Sequence, residues 1–369
     1  MTLSIAMDDI VAEHIKAHPA KHRVRLQFGG VRLDVHTNFA ALQDKLLSYY
    51  RDFMGNDDKP LIEITAVEMP PIEVNLPLTL KEPDPGKTKI KEEYADLSDG
   101  RIVKKRLTGM VFVFGGDSHV ALGPCVLNDN QVVNFINNRF IEFLIKGGCL
   151  LFHAAGIAWK GRGLAISGFS GTGKSTLALH IMRSGTDFIS NDRVMVEKAF
   201  QQLTMYGVAK MPRINPGTVL NNDSLQSVIP EQERLEFEAL PPEELWDLEH
   251  KYDAFIDQCF GPGKFALSSP MAGLVVLNWK RIEAPCEVRP VDLNERRDLL
   301  PAFMKSVGLF FEMDDPAYEL DFSEAAYLDL LKDCPVLEIS GGVDFEAASR
   351  TCLDFLEDLS KLPNPQISE

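Results

Sequence analysis

The chain has 369 residues, 45% hydrophobic and 25% charged, a composition that excludes a disordered or fibrous protein and leaves room for two packed units. A formal net charge of −16 repels a phosphate backbone at long range and argues against nucleic acid as a partner. No run of about 18 apolar residues is present to span a membrane, and the N-terminal MTLSIAMDDIVAEH carries acids where a signal peptide has a basic start.

The six cysteines, Cys125, Cys149, Cys259, Cys286, Cys334 and Cys352, are scattered and form no C-x-x-C pair. They suggest neither a zinc knuckle nor a disulfide framework, and the expected location is a reducing cytoplasm. Along the chain, a short helix is expected from Asp8 to His18. The alternation of RVRLQF and VRLDVH around Gly29 and Gly30 predicts a hairpin. Asn38 is placed to cap a helix over Ala40 to Phe53, and Leu61 to Glu68 returns to a strand pattern.

Between Pro70 and Gly100 the chain is rich in Pro, Lys, Glu and Asp, and reads as an exposed connection or lid. A second hairpin around Gly115 and Gly116 closes an N-terminal α+β unit, set at residues 1–125. From 126 to 360 a second domain is expected, followed by a loose tail, 361–369. It opens with an amphipathic helix from Gln131 to Lys146, stopped by Gly147 and Gly148. A strand LLFHAAGIAW follows, then the turn KGRG and the strand GLAIS. A four-residue connection joins only antiparallel neighbours, so the sheet is expected to mix antiparallel and parallel strands. After a helix from Lys174 to Arg183 come the strand DFISND, a long acidic stretch from Asn221 to His250, the strand AGLVVLNW and terminal helices.

Gly168 to Ser175 reads GFSGTGKS, a full match to G-x-x-x-x-G-K-[ST] between a predicted strand and a predicted helix. The glycines let successive backbone N–H groups turn toward phosphate oxygens, and the helix N-terminus adds its positive end. Gly168, Ser170, Gly171, Thr172, Gly173, Lys174, Ser175 and Thr176 are the expected nucleotide-binding residues. Lys174 is suited to the β- and γ-phosphates, and Ser175 to Mg²⁺. Asp192, 18 residues after Lys174 at the end of the next strand, supplies the acid for the metal shell; a strand-end cap is its plain alternative.

His153 lies among apolar neighbours, where a lone histidine reads first as a satisfied core residue. The antiparallel hairpin adds a second reading, because it brings His153 to the same end of the sheet as the glycine-rich loop. Lys210 and Arg213, in GVAKMPRINPGT, are candidates to neutralise the transferring phosphoryl group or to bind substrate. A solvated basic loop is the other reading.

His153, the hairpin, GFSGTGKST, a helix and Asp192 together resemble the catalytic domain of bacterial HPr kinase/phosphorylase, whose core is related to phosphoenolpyruvate carboxykinase. The likeness covers about Val132 to Val196. GVAKMPRINPGT is similar to the HPr-kinase-related proteins grouped as kinase B, and Lys264 in FGPGKF weakly resembles a flexible basic loop of the family. The resemblance implies an α/β P-loop kinase core, ATP and Mg²⁺, and His153, Lys174, Asp192 and Arg213 as catalytic residues. It also implies a serine on a small protein as acceptor, and self-assembly into oligomers. The family carries two adjacent aspartates where this chain has Asn191 and Asp192, so a potential base is missing. A small-molecule kinase and a nucleotide-binding switch without transfer are therefore the alternatives.

Overall fold

The computed structural model describes residues 2–83, 88–248, 250–312 and 320–357. The expected tail, 361–369, lies outside the described residues, as does part of the Pro- and Lys-rich stretch, 84–87. The chain divides into two compact units, one of Met1–Phe143 with Val307–Glu319 and one of Leu144–Ser306 with Leu320–Glu369. The division falls at Phe143, where the sequence reading set it at 125, and the first unit also takes back a segment from far along the chain.

The first unit is a mixed sheet with helices. Helix α1 (Met7–Ala17) precedes strands β1 (His22–Phe28) and β2 (Val31–Thr37), followed by α2 (Ala40–Tyr49) and β3 (Ile62–Glu68). Strands β4 (Thr79–Leu80), β5 (Glu92–Asp96), β6 (Arg101–Lys105), β7 (Val111–Gly115) and β8 (Ser118–Gly123) complete it, and α3 (Asp129–Lys146) leads out. The order is β1-β2-β3-β8-β7-β6-β5-β4, with β2–β3 and β3–β8 parallel and the remaining pairs antiparallel. The β1–β2 hairpin follows from its alternation: Val24, Leu26, Phe28, Leu33 and Val35 are buried, and Gly29 turns with φ +57°.

Two sequence expectations change here. The stretch from Pro70 to Gly100 contributes β4 and β5 to the sheet, and Ala95 is buried, so it is not wholly an exposed connection. Asn38 does not cap α2. Its amide instead donates to the Glu68 carbonyl at 2.9 Å and accepts from the Glu68 N–H at 2.8 Å, fastening the end of β3.

Residues 307–312 are held within the first unit. Arg101 Nη1 donates to the carbonyls of Leu309 at 3.2 Å and Phe311 at 3.0 Å, and Arg139 donates to that of Phe310. The Phe310 ring stacks on Phe114 with centroids 5.8 Å apart and meets Phe112 and Phe135 at 5.4 and 6.2 Å.

The second unit carries β9 (Leu150–Phe152), β10 (Ala154–Trp159), β11 (Arg162–Gly168), α4 (Lys174–Ile181), β12 (Asp187–Ser190), β13 (Val194–Ala199), β14 (Gln202–Tyr206), β15 (Arg213–Ile214) and α5 (Pro216–Leu220). Then come α6 (Glu231–Glu238), α7 (Pro242–Asp247), β16 (Tyr252–Asp253), α8 (Ile256–Phe260), β17 (Ser268–Leu277), β18 (Cys286–Pro290), α9 (Glu324–Leu331), β19 (Val336–Gly341) and α10 (Phe345–Glu357). The main sheet runs β12-β10-β11-β17-β14-β13-β9, and β19 pairs with β17 and β18. As the short KGRG turn requires, β10 and β11 are antiparallel, while β11–β17 and β17–β19 are parallel. Ile157, Leu164, Ile166, Val275 and Leu277 are fully buried beneath α4 and α10, each burial worth roughly 1.5–3 kcal/mol.

The segment LLFHAAGIAW is not one strand, contrary to the reading of the sequence. Phe152 pairs with Val194 in β13, whereas Ala154 pairs with Ser167 in β11, so the chain changes sheet partners at His153. The His153 N–H leaves the ladder and donates to the Phe303 carbonyl at 2.7 Å. A second switch lies between β12 and β13, at Asn191, Asp192 and Arg193. Because β9 runs into β10 and β12 into β13, the two ends of the strand order meet, and the sheet curls so that both switch points lie together.

Candidate functional site

β11 ends at Gly168 beside Leu277 of β17, and the chain turns through residues 169–173 into α4. Close approach requires glycine at 168, since a Cβ there would stand 2.6 Å from Thr172 Oγ1 and 2.8 Å from the Leu277 carbonyl oxygen. Gly173 has φ +86°, and an added Cβ would meet the Phe345 ring at 2.9 Å. The first intrahelical bond runs from the Leu177 N–H to the Gly173 carbonyl at 2.8 Å, so the N–H groups of Lys174, Ser175 and Thr176 precede the ladder. This is the arrangement that suits an anion. Trp279 braces the loop by donating its indole N–H to the Thr172 carbonyl at 2.8 Å.

Lys174 is buried and donates to the Gly168 carbonyl at 3.0 Å. Burial pushes its ammonium pKa down, the charge of Asp192 pulls it up, and the charge of Lys305 pushes it down further. A cavity of about 950 Å³ opens over the loop. Gly171, Gly173, Lys174, Ser175, Thr176, Asp192 and Arg213 all line it. Gly168, Ser170 and Thr172 belong to the loop without lining the cavity. The Thr176 hydroxyl is 2.9 Å from that of Thr218, tying the start of α4 to α5.

The two switch points bring His153 and Asp192 into contact, with Nε2 3.0 Å from Oδ1. Oδ2 faces Lys305 Nζ at 3.3 Å and Arg193 Nε at 3.9 Å. Partial burial pushes the Asp192 carboxyl up, but the His153 hydrogen bond and the charges of Lys305, His153 and Arg193 outweigh it and hold the group well below the usual carboxylate range. His153 is thus the neighbour of the acid and does not line the cavity. The side-chain oxygen of Asn191 is buried with no hydrogen-bond partner among the described residues.

Arg213 reaches the cavity from β15, its Nε 3.5 Å from Asp253. Lys210 lies nearby, its ammonium pushed down by burial and by the charge of Arg193 against the pull of Asp192. Lys264 is placed elsewhere. It bonds the Gly185 carbonyl at 2.6 Å and Asp187 at 3.1 Å, and Asp187 pairs with Ala158, roughly 13 Å along β10 from the loop end at a strand rise of 3.3 Å per residue.

The residues present fit a nucleotide with Mg²⁺: a glycine-rich turn with helix-start amides, a buried lysine, a serine hydroxyl at Ser175 and an ionised carboxylate at Asp192. Among the described residues no cluster of three or more His, Cys, Asp or Glu could hold a metal alone, so an ion here would be shared with phosphates. Sequence reasoning missed Lys305 and Trp279, which lie far from the motif and carry no local pattern.

No protein-family model matches the sequence, and no curated protein matches it. Among solved structures the chain is similar to the HPr(Ser) kinase/phosphatase from Coxiella burnetii, with 13% identity and a TM-score of 0.30 over 57% of this chain and 92% of that one. This is a distant structural likeness, and any functional reading rests on the residues of the site. No helix among the described residues is long and apolar enough to cross a membrane.

Proposed function

We propose that the chain is an ATP- and Mg²⁺-dependent phosphotransferase with an HPr-kinase-like core, which moves the γ-phosphoryl group to a hydroxyl, a serine of a small protein partner. The observation that carries this reading is the loop GFSGTGKS on its strand–turn–helix frame, with the His153–Asp192 pair at the same end of the sheet. In the transfer, the bond from the γ-phosphorus to the β–γ bridging oxygen breaks and one to the acceptor oxygen forms. ADP leaves, and the hydroxyl proton passes to solvent water.

The loop amides and Lys174 bind and orient the phosphates, and Arg213 faces the same space. Ser175 and Asp192, together with the phosphates, would hold Mg²⁺, which when bound would supply charge neutralisation. Asp192, kept anionic by His153 and Lys305, is a better metal and positioning group than a proton acceptor. Phosphoryl transfer tolerates weak base catalysis because its transition state is largely dissociative.

The test is incubation of the purified chain with γ-labelled ATP, Mg²⁺ and source-cell lysate, beside Lys174→Ala. A small protein labelled only by the wild type is the expected result. Bound ATP with no labelled protein would rule out the protein acceptor. Asn191, with its unpartnered amide oxygen where a base is expected, favours a second reading, a nucleotide-binding switch; any labelled product excludes it.

A further inference from the structure

Lys305 does not itself line the cavity but reaches Asp192, which does, by a route that the motif does not contain. Phe303 stacks on Phe152 with centroids 5.5 Å apart and planes 11° from parallel, and its carbonyl accepts the His153 N–H. Met304 forms an isolated antiparallel bridge with Phe152. Phe152 and Phe303 are fully buried, so the backbone before Lys305 is fixed against the same strand end that presents His153.

From that anchor the Lys305 side chain, 26% exposed, reaches to 3.3 Å from Asp192 Oδ2. Asp192 is also 3.0 Å from the His153 ring and 3.9 Å from Arg193, so Lys305 shares this carboxylate with other partners. Lys174, the loop lysine, is within electrostatic reach of both Asp192 and Lys305. In a chain of net charge −16, one ammonium on the loop and a second held on Asp192, with Lys174 and Asp192 lining the same cavity, mark a place suited to an anion of more than one charge.

We infer that Lys305 is a second phosphate-binding lysine of this site, its ammonium serving the terminal phosphate of the nucleotide together with Lys174. The inference rests on the nucleotide-binding reading above and extends it. A lysine suits the role because its flexible stem lets a point charge move a few ångströms from Asp192 while the backbone stays anchored.

The experiment is titration calorimetry of the full chain, as wild type, Lys305→Met, Lys305→Arg and Lys174→Ala, with ATP, ADP and AMP in Mg²⁺. Lys305→Met should weaken ATP binding by roughly tenfold or more, ADP by less and AMP hardly at all, with an unchanged melting temperature in the absence of nucleotide. Lys305→Arg should restore most of the ATP affinity. Unchanged ATP affinity in Lys305→Met, while Lys174→Ala has lost it, overturns the inference alone. An equal loss for all three nucleotides without rescue by arginine reduces Lys305 to a structural role and overturns it too. If the wild type binds ATP no better than Lys174→Ala, the nucleotide reading itself fails.

Discussion

At the scale of single residues, the site is a set of charges whose values depend on their neighbours. Lys174 is buried on the Gly168 carbonyl, a backbone acceptor that does not need an ammonium to keep the fold. Lys174→Ala should therefore lower ATP affinity by about a hundredfold while leaving the melting temperature and circular dichroism near those of the wild type, since a desolvated charge–phosphate contact is worth several kcal/mol. Full retention of ATP affinity would remove the basis for a phosphate site. Asn191 offers the complementary test. Its buried oxygen has no partner among the described residues, and Asn191→Asp places a second carboxylate beside Asp192. Transfer turnover should rise by about tenfold or more, with ATP affinity within about twofold of the wild type. Single-turnover rates would check it, and an unchanged rate would mean that the reaction does not wait on a base.

At the scale of elements, the hairpin and the loop were legible in the sequence because local rules govern them. A four-residue turn admits only antiparallel neighbours, and a G-x-x-x-x-G-K-[ST] run between strand and helix specifies a glycine-rich turn into a helix start. The break at His153 was not legible. LLFHAAGIAW is apolar throughout, and nothing local says that Phe152 will pair with Val194 and Ala154 with Ser167. Long-range pairing decides that, and it also brings Lys305 to Asp192 and Trp279 to the loop. Trp279 gives a prediction at this scale. Trp279→Phe keeps the ring contact with Phe345 but removes the N–H donor to the Thr172 carbonyl, one hydrogen bond of about 1 kcal/mol. Nucleotide affinity should fall about threefold to tenfold, as read by titration calorimetry, with a shift of a few degrees in melting temperature. A melting loss with affinity unchanged would assign Trp279 to the core alone.

For the whole molecule, the second unit's stability should depend on acid through Glu338. This fully buried residue of β19 accepts from Asn278 at 2.7 Å, from Arg289 at 2.7 Å and from Arg296 at 3.0 Å. Burial pushes its carboxyl up, but those hydrogen bonds and charges outweigh it and hold the pKa at about 2. A folded pKa below the unfolded one contributes stability above the unfolded value of about 4.3 that is lost as pH falls toward 2, on the order of 3 kcal/mol in full. Denaturant midpoints measured from pH 7 to pH 3 should decline, and Glu338→Gln should be less stable at pH 7 with a flatter acid slope. An identical slope in the variant would place the acid sensitivity elsewhere.

The return of residues 307–312 to the first unit has a consequence in time. Phe112, Phe114 and Phe135 are made early, whereas Phe310, which stacks among them, emerges only after roughly 160 further residues, or about ten to thirty seconds at ribosomal rates. During that interval the nascent first unit must keep an aromatic cleft out of contact with other chains. A fragment ending at Phe143 should accordingly bind a hydrophobic dye and lose that binding when a peptide covering 307–312 is supplied. The length of the wait sets how long that apolar surface stays uncovered during synthesis.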